Sequence, residues 1–372
     1  MSVLVDVNIG LIAPPWIPVP PPSYGGTEVV VDNLARGLAA RGHHVRLFTV
    51  GASTCPVPRS WLFDEPVTPM GETVPEAAHV LAAYDALTDL DIIHDHTVAG
   101  PLSWARTHRG PVIVATNHGE FTPALRAIYT ATARRVALIA ISHSQRDSAP
   151  EVPVAAVIHH GLDLDAYSFG PGGGGYLLFV GRMSPDKGVH RAIRLARRMG
   201  RQLVVVSKMW ESAERTYFER HVGPLLGADI DLRLHATLTE RVELLRHADA
   251  LVNPISWPEP FGLVMAEALA CGTPVLAAPF GATPEIVDHG RTGFVSADEA
   301  ELARAPIDLI DRRSCRDAAN QRFSLDRMAR DHERLYEQLL DECVDGVTVR
   351  SGVRVNTATR DAPNNGRPAV VR

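Results

Sequence analysis

Along this 372-residue chain, short continuous apolar runs alternate with stripes of helical spacing. Val3–Ile12, His44–Val50, Asp91–His94, Pro111–Asn117, Arg135–Ile141 and Val154–Ile158 read as buried strands, with Asp6 and Asn8 breaking the first. After the first strand, Val29, Val30, Asn33, Leu34, Leu38 and Ala39 form a helical stripe that Gly42 ends. A second series of strands follows at Tyr176–Val180, Gln202–Val206, Ile230–Leu234, Ala250–Pro254 and Val275–Ala278. Helices are predicted at 76–87, roughly 211–227, 239–247, from Phe261-Gly262-Leu263 to the Cys271-Gly272-Thr273-Pro274 stop, at 298–320 and at 324–340. This alternation predicts an α/β protein with parallel, doubly wound sheets. Residues 52–78 read as a Pro-rich, acidic loop, and from about Gly346 the chain is polar without periodicity.

The length exceeds one ordinary core and suits two domains, 1–165 and 176–323, with a linker at 166–175 and a disordered tail expected at 343–372. The linker ends in Gly170-Pro171-Gly172-Gly173-Gly174-Gly175, which satisfies G-x-G-x-x-G. It precedes a strand instead of following one, so a dinucleotide fingerprint is excluded. A hydrophobic content of 45% and a charged content of 22% fit an ordinary soluble globular protein. The net charge of −6 gives no basis for a nucleic-acid partner or for strong docking to an acidic membrane. Four cysteines without a CxxC pair suggest neither a zinc site nor a disulfide framework. No apolar run approaches ~20 residues and no basic leader is read, so the cytoplasm is the expected location.

The densest chemistry lies between Trp257 and Val295, in WPEPFGLVMAEALACGTPVLAAPFGATPEIVDHGRTGFV. Glu259 sits in a Pro-bracketed loop, and Glu267 follows after seven intervening residues. A helix start at Gly262 lets backbone amides approach an anion, and the helix dipole favours its charge. A carboxylate cannot bind phosphate, but it accepts hydrogen bonds from neighbouring hydroxyls. Glu267 stands among Val264, Met265, Ala266, Ala268, Leu269 and Ala270, where a lone charge is costly unless engaged. Two carboxylates flanking an anion-binding helix start fit a ligand with hydroxyls on both sides of a phosphate group, the shape of a nucleotide sugar.

This segment resembles the E-x7-E signature of retaining glycosyltransferases of family 4, with its EPFGL…EALACGTPV…PEIV frame, over nearly forty residues without a gap. The resemblance implies a GT-B fold: two Rossmann-like domains with a cleft between them, the last helix (324–342) crossing back to complete the first. It also implies a nucleotide-sugar donor. Gly181-Arg182-Met183-Ser184-Pro185-Asp186-Lys187-Gly188 matches the family's G-R-x-S-P-x-K-G motif, in which Arg182 and Lys187 clamp the diphosphate. Only two of 37 basic residues are lysines, Lys187 and Lys208. Lys208 is read at the same cleft edge, and His235 stands where relatives commonly have glycine. Gly25 and Gly26, in the family's GG-x-E turn, face the donor diphosphate from the first domain. Glu259 and the amides of Phe261, Gly262 and Leu263 hold the transferred sugar, and Glu267 the ribose. His118, following a strand, matches the family histidine that reaches toward the reacting centre.

His94-Asp95-His96 places two imidazoles on one strand face, but no third ligand follows at useful spacing, so the reading is acceptor-cleft lining and no metal. His96 and Glu120 are candidate acceptor contacts. Three D-x-D matches (Asp89/Asp91, Asp163/Asp165, Asp229/Asp231) lie outside any GT-A-like context. The expected activity is therefore metal-independent, cofactor-free transfer of a hexose, from UDP-glucose first or GDP-mannose second. The PPW-x3-PPP-x-YGGTE opening resembles that of family members modifying small molecules, which points to a small acceptor such as a secondary metabolite. The alternatives are a GT-B nucleotide-sugar epimerase, which needs further acid/base carboxylates, and an inactive nucleotide-sugar-binding module.

Overall fold

The structure, a computed structural model, describes residues 6–23, 25–98, 100 and 110–344. The predicted tail and the first residues of the Val3–Ile12 run lie largely outside these. One parallel sheet contains β1 (Asn8–Ile12), β2 (His44–Thr49), β3 (Arg59–Trp61), β4 (Ile92–Asp95), β5 (Val112–Asn117), β6 (Val136–Ala140) and β7 (Ala156–Val157), in the order β3-β2-β1-β4-β5-β6-β7. The other contains β8 (Tyr176–Arg182), β9 (Gln202–Lys208), β10 (Ile230–Arg233), β11 (Ala250–Asn253), β12 (Val275–Ala277) and β13 (Gly293–Val295), in the order β10-β9-β8-β11-β12-β13. In both, the order reverses beside the first strand, the Rossmann arrangement of a doubly wound sheet. The molecule has the GT-B architecture.

Continuous apolar runs become central strands because both sheet faces are covered. Along β1, Ile9 and Leu11 enter the core on one face and Ile12 the core on the other. Along β8, Leu177 and Phe179 bury on one face and Leu178 on the opposite one. The Leu325–Val344 helix returns to the first domain, where Met328, Ala329, Leu335, Tyr336 and Leu339 join the core under the Gly26–Ala40 helix. Gly37 makes the approach possible: a Cβ there would stand 2.8 Å from Leu325 Cδ2 and 2.9 Å from Ala329 Cβ. Arg41 and His43 both reach the buried carboxylate of Glu333, fastening the crossing helix by charge as well as packing.

Three predicted elements differ. The 52–78 loop contains the short edge strand β3, paired parallel to β2, and the following helix already starts at Thr73. The 211–227 helix is α-helical only over Ser212–Tyr217, then widens to a π turn (Phe218–Val222) and tightens to a 3-10 turn where Pro224 follows. The 298–320 helix is divided near Pro306 into Glu299–Leu302 and Arg312–Arg322.

Candidate active site

A cavity of about 290 Å³ opens between the sheets, where segments leaving β1, β5, β8 and β11 converge. Carboxyl ends of strands beside a switch point are where open α/β sheets bind ligands. One wall is the start of the Gly26–Ala40 helix, with Gly25 and Gly26; the facing wall is the start of the Leu263–Ala270 helix, with Phe261, Gly262 and Leu263. A Cβ on Gly26 would stand 3.6 Å from Leu263 Cδ1, so the two helix starts nearly touch. The amides of Phe261, Gly262 and Leu263 donate to no protein acceptor among the described residues. Two converging positive dipole ends with free amides make the gap between them suited to an anion. Gly262 has φ 91°, in the left-handed region, and a Cβ there would meet Met265 Cε at 2.6 Å.

Arg182, at the end of β8, and Lys187, in the turn after it, add cations to this gap. Arg182 is held by Asp186 at 3.2 Å, whereas Lys187 is ion-paired with Glu259 across the cavity floor and lies 5.2 Å from the centre of the Trp257 ring. Glu259 Oε2, Trp257 Nε1 and Arg241 Nε are buried without a hydrogen-bond partner among the described residues. Buried polar groups are seldom left so, and all three residues line the cavity. Glu267 is 8% exposed and accepts from the Tyr167 hydroxyl at 2.9 Å. Burial, reinforced by the Glu267 charge, pushes the Tyr167 phenol well above its ordinary range, so it stays a donor. Arg241 Nη2 lies 4.0 Å from Glu267 Oε1, and its Nη1 donates to Ser23 O at 2.8 Å across the cleft.

His118 and His160 line the cavity with their rings stacked at 5.2 Å. Burial, with the neighbouring His332 adding to it, lowers the His118 pKa to about 3, and burial holds His96 and His160 well below the ordinary imidazole value. All three are neutral near pH 7. The two acceptor-side candidates are placed otherwise than expected. His96 does not line the cavity: it is buried behind His118, with its Nδ1 2.9 Å from His118 Nε2. Glu120 is exposed on the following loop, away from the cavity wall. His94 does share a face with His96, but it is sealed between the Tyr336 hydroxyl at 2.6 Å and Thr116 Oγ1 at 2.7 Å. The reason is the position of β4: a central strand covered on both faces carries its polar end into the interior. Among the described residues no three His, Cys, Asp or Glu side chains converge in a metal-holding group.

A smaller recess adjoins the cavity, lined by Ser207, Lys208, Trp210 and His235 and sharing Gly181 and Arg241 with it. Lys208 is there, 3.4 Å from Glu214 and 4.5 Å from the Trp210 ring centre, so its charge is already engaged. Arg241, His160 and Trp257 are among the cavity residues that sequence reasoning passed over. Trp257 opens the segment that carries the two glutamates, which was the available signal, whereas Arg241 is one arginine on a polar helix and enters the site only through the packing of that helix.

Two family models match the chain side by side, Glycosyltransferase Family 4 over residues 24–166 and Glycosyl transferases group 1 over 168–324. The chain belongs to glycosyltransferase family 4. Among curated relatives, a glycogen synthase of Mycobacterium tuberculosis is 29% identical, covering 82% of this chain and 88% of the relative. A phosphatidyl-myo-inositol mannosyltransferase of Mycobacterium leprae is 28% identical, covering 82% and 87%. Of solved structures, AviGT4, a glycosyltransferase involved in avilamycin A biosynthesis, superposes with a TM-score of 0.70 at 26% identity, covering 90% of this chain and 98% of its own. The sucrose-phosphate synthase of Thermosynechococcus elongatus, at 20% identity and a TM-score of 0.75, shares the fold. The family-4 matches and the cavity make this chain a glycosyltransferase of GT-B type acting on nucleotide sugars.

Proposed function

We propose that this enzyme transfers a hexose from a nucleotide-diphosphate sugar to a hydroxyl of a small molecule, with retention of configuration and without a metal ion. The observation that carries the reading is the meeting of Arg182, Lys187 and two helix starts in one gap, flanked by Glu259 and Glu267. As the C1–O bond of the donor breaks, negative charge grows on the departing diphosphate. The two cations and the free amides of Phe261, Gly262 and Leu263 stabilise that charge where it develops, which is the work a metal ion does elsewhere. Glu259 takes sugar hydroxyls, leaving Lys187 to the phosphate, and Glu267 with Tyr167 takes the ribose. Gly25 and Gly26 close on the diphosphate from the opposite domain. His118 and His160 stand on the acceptor side of the sugar, and attack comes from the face the diphosphate leaves. The small recess beside Arg241 favours a pyrimidine over a purine, hence UDP-glucose before GDP-mannose. The likeness to AviGT4, a glycosyltransferase involved in avilamycin A biosynthesis, favours an acceptor from secondary metabolism.

The test is a thermal-shift screen against UDP- and GDP-sugars, with Lys187→Ala beside the wild type. One donor should raise the melting temperature of the wild type, and the effect should vanish in Lys187→Ala. If no nucleotide sugar shifts the wild type and none is consumed with any acceptor, the donor assignment is wrong.

A further inference from the structure

Behind His118 the molecule holds a buried file of imidazoles: His96, His94 and His332, with His94–His96 ring centres 4.1 Å apart and His94–His332 5.4 Å apart. His94 has both ring nitrogens engaged and His332 Nδ1 lies 2.8 Å from Met328 O. His96 is different. Its Nδ1 meets His118 Nε2 at 2.9 Å, while its own Nε2 is sealed from solvent with no partner among the described residues. His118 makes no other hydrogen bond among the described residues, and its Nδ1 is not sealed as His96 Nε2 is.

One proton is shared along the His96–His118 bond, and the orphaned nitrogen decides which ring donates it. Were His118 Nε2–H the donor, His96 would carry its proton on Nε2 and bury an N–H with no acceptor. With the proton on His96 Nδ1, the orphan is only a lone pair, the lesser fault in an interior. We propose that His96 is a positioning residue that locks His118 in the Nδ1–H tautomer, opposite to the Nε2–H form a free imidazole prefers, so that His118 offers a hydrogen-bond donor to an oxygen of the bound sugar. Burial keeps both rings neutral, so the lock persists through the physiological range. The sugar's place in the cavity rests on the donor-site reading above; the tautomer does not. The proposal also gives the H-x-H pattern at the end of β4 a use: His94 is fixed by Thr116 and Tyr336, and it backs the ring of His96.

Two-bond proton–nitrogen correlation spectra of histidine-labelled protein read the tautomer directly, with the His118 signal assigned by its loss in His118→Gln. In the unliganded wild type, His118 should be protonated on Nδ1. His96→Phe keeps the ring volume but removes the donor, and His118 should move to Nε2–H. His96→Asn places an amide N–H near the Nδ1 position and should restore the wild-type signal. In parallel, kcat/KM for the donor should fall about tenfold in His96→Phe and recover to within about twofold in His96→Asn. An Nε2–H tautomer in the wild type overturns the proposal, as does an unchanged tautomer in His96→Phe. A tautomer change without loss of kcat/KM overturns the positioning role. If His96→Phe does not fold, the wild type and His96→Asn still decide the tautomer. A wild type that turns over no nucleotide sugar removes the donor reading and leaves the spectra to judge the lock alone.

Discussion

Lys187 and Glu259 neutralise one another before any ligand arrives, and each side chain is only 12% exposed. On the proposed reading, donor binding exchanges partners: phosphate oxygens take Lys187, and sugar hydroxyls take Glu259 along with its Oε2, which has no partner among the described residues. The exchange separates stability from activity. Lys187→Met leaves a buried carboxylate unpaired and should destabilise by up to about 3 kcal/mol, whereas Lys187→Met with Glu259→Gln should recover most of that loss. Both variants should lose donor turnover, by about 10²-fold or more, because the developing phosphate charge has lost its cation. Chemical denaturation and steady-state kinetics on the same set check this; additive destabilisation would show that the pair does not couple. Gly262 is the second sensitive position. Gly262→Ala forces a side chain into left-handed backbone and against Met265, so it should cost about 1–2 kcal/mol in a denaturation experiment and weaken donor binding through the displaced amides.

Among elements, the four-residue helix Thr283–Ile286 does more than its length suggests, since Glu285 joins the two domains. Its carboxylate accepts from the amides of His143 at 2.9 Å and Ser144 at 2.7 Å and lies 2.8 Å from His159 Nε2, all on the first domain. Burial works against its charge, but the His159 bond and the two amides outweigh it and hold its pKa below the ordinary 4.5. A depressed carboxyl gives stability that is complete above 4.5 and is lost as pH falls through the lower folded value. Glu285→Ala at pH 7 should therefore raise hydrogen exchange at the His143 and Ser144 amides about tenfold or more, with the strand amides of both sheets unchanged. Exchange that stays the same would mean the latch is not what protects them. This bond shows where legibility ended. That Arg182 with Lys187, and Glu259 with Gly262 and Glu267, share one cavity was readable because each set lies within a single strand–turn–helix segment that the family motifs mark and whose short spacing sets its geometry. Glu285 lies in the same readable stretch, yet its partners stand 142 and 126 residues away. Arg241 and Ser23, 218 residues apart, and His94 and Tyr336, 242 apart, were equally invisible. His94 and His96 were misplaced for a related reason, since periodicity gives a side chain's face but not what covers that face.

At the scale of the molecule, the two sheets were legible because buried parallel strands are continuous apolar runs, and the return of the last helix to the first domain was implied by the family resemblance; how much of the first domain's core that helix supplies was not legible. Met328, Leu335, Tyr336 and Leu339 lie in the first domain's core, each 6% exposed or less. Burying four such side chains stabilises by about 1.5–3 kcal/mol each, about 6–12 kcal/mol together as an upper estimate. That is comparable to the entire stability of an ordinary domain, about 5–15 kcal/mol. The ion pair of Arg41 with Asp326 is secondary, because Asp326 is largely exposed, whereas that with the buried Glu333 adds to the packing. A chain ending at Ser324 should therefore lose the cooperative unfolding of the first domain while keeping that of the second. Calorimetry separates the two, and adding the 325–344 segment as a peptide should return the first transition. Two intact transitions in the truncated chain would instead mean that the helix is an accessory. The site would register the same loss, since Tyr336 holds His94 and His94 backs the imidazole behind His118. Partial rescue by peptide should accordingly restore folding of the first domain and donor turnover in the same proportion.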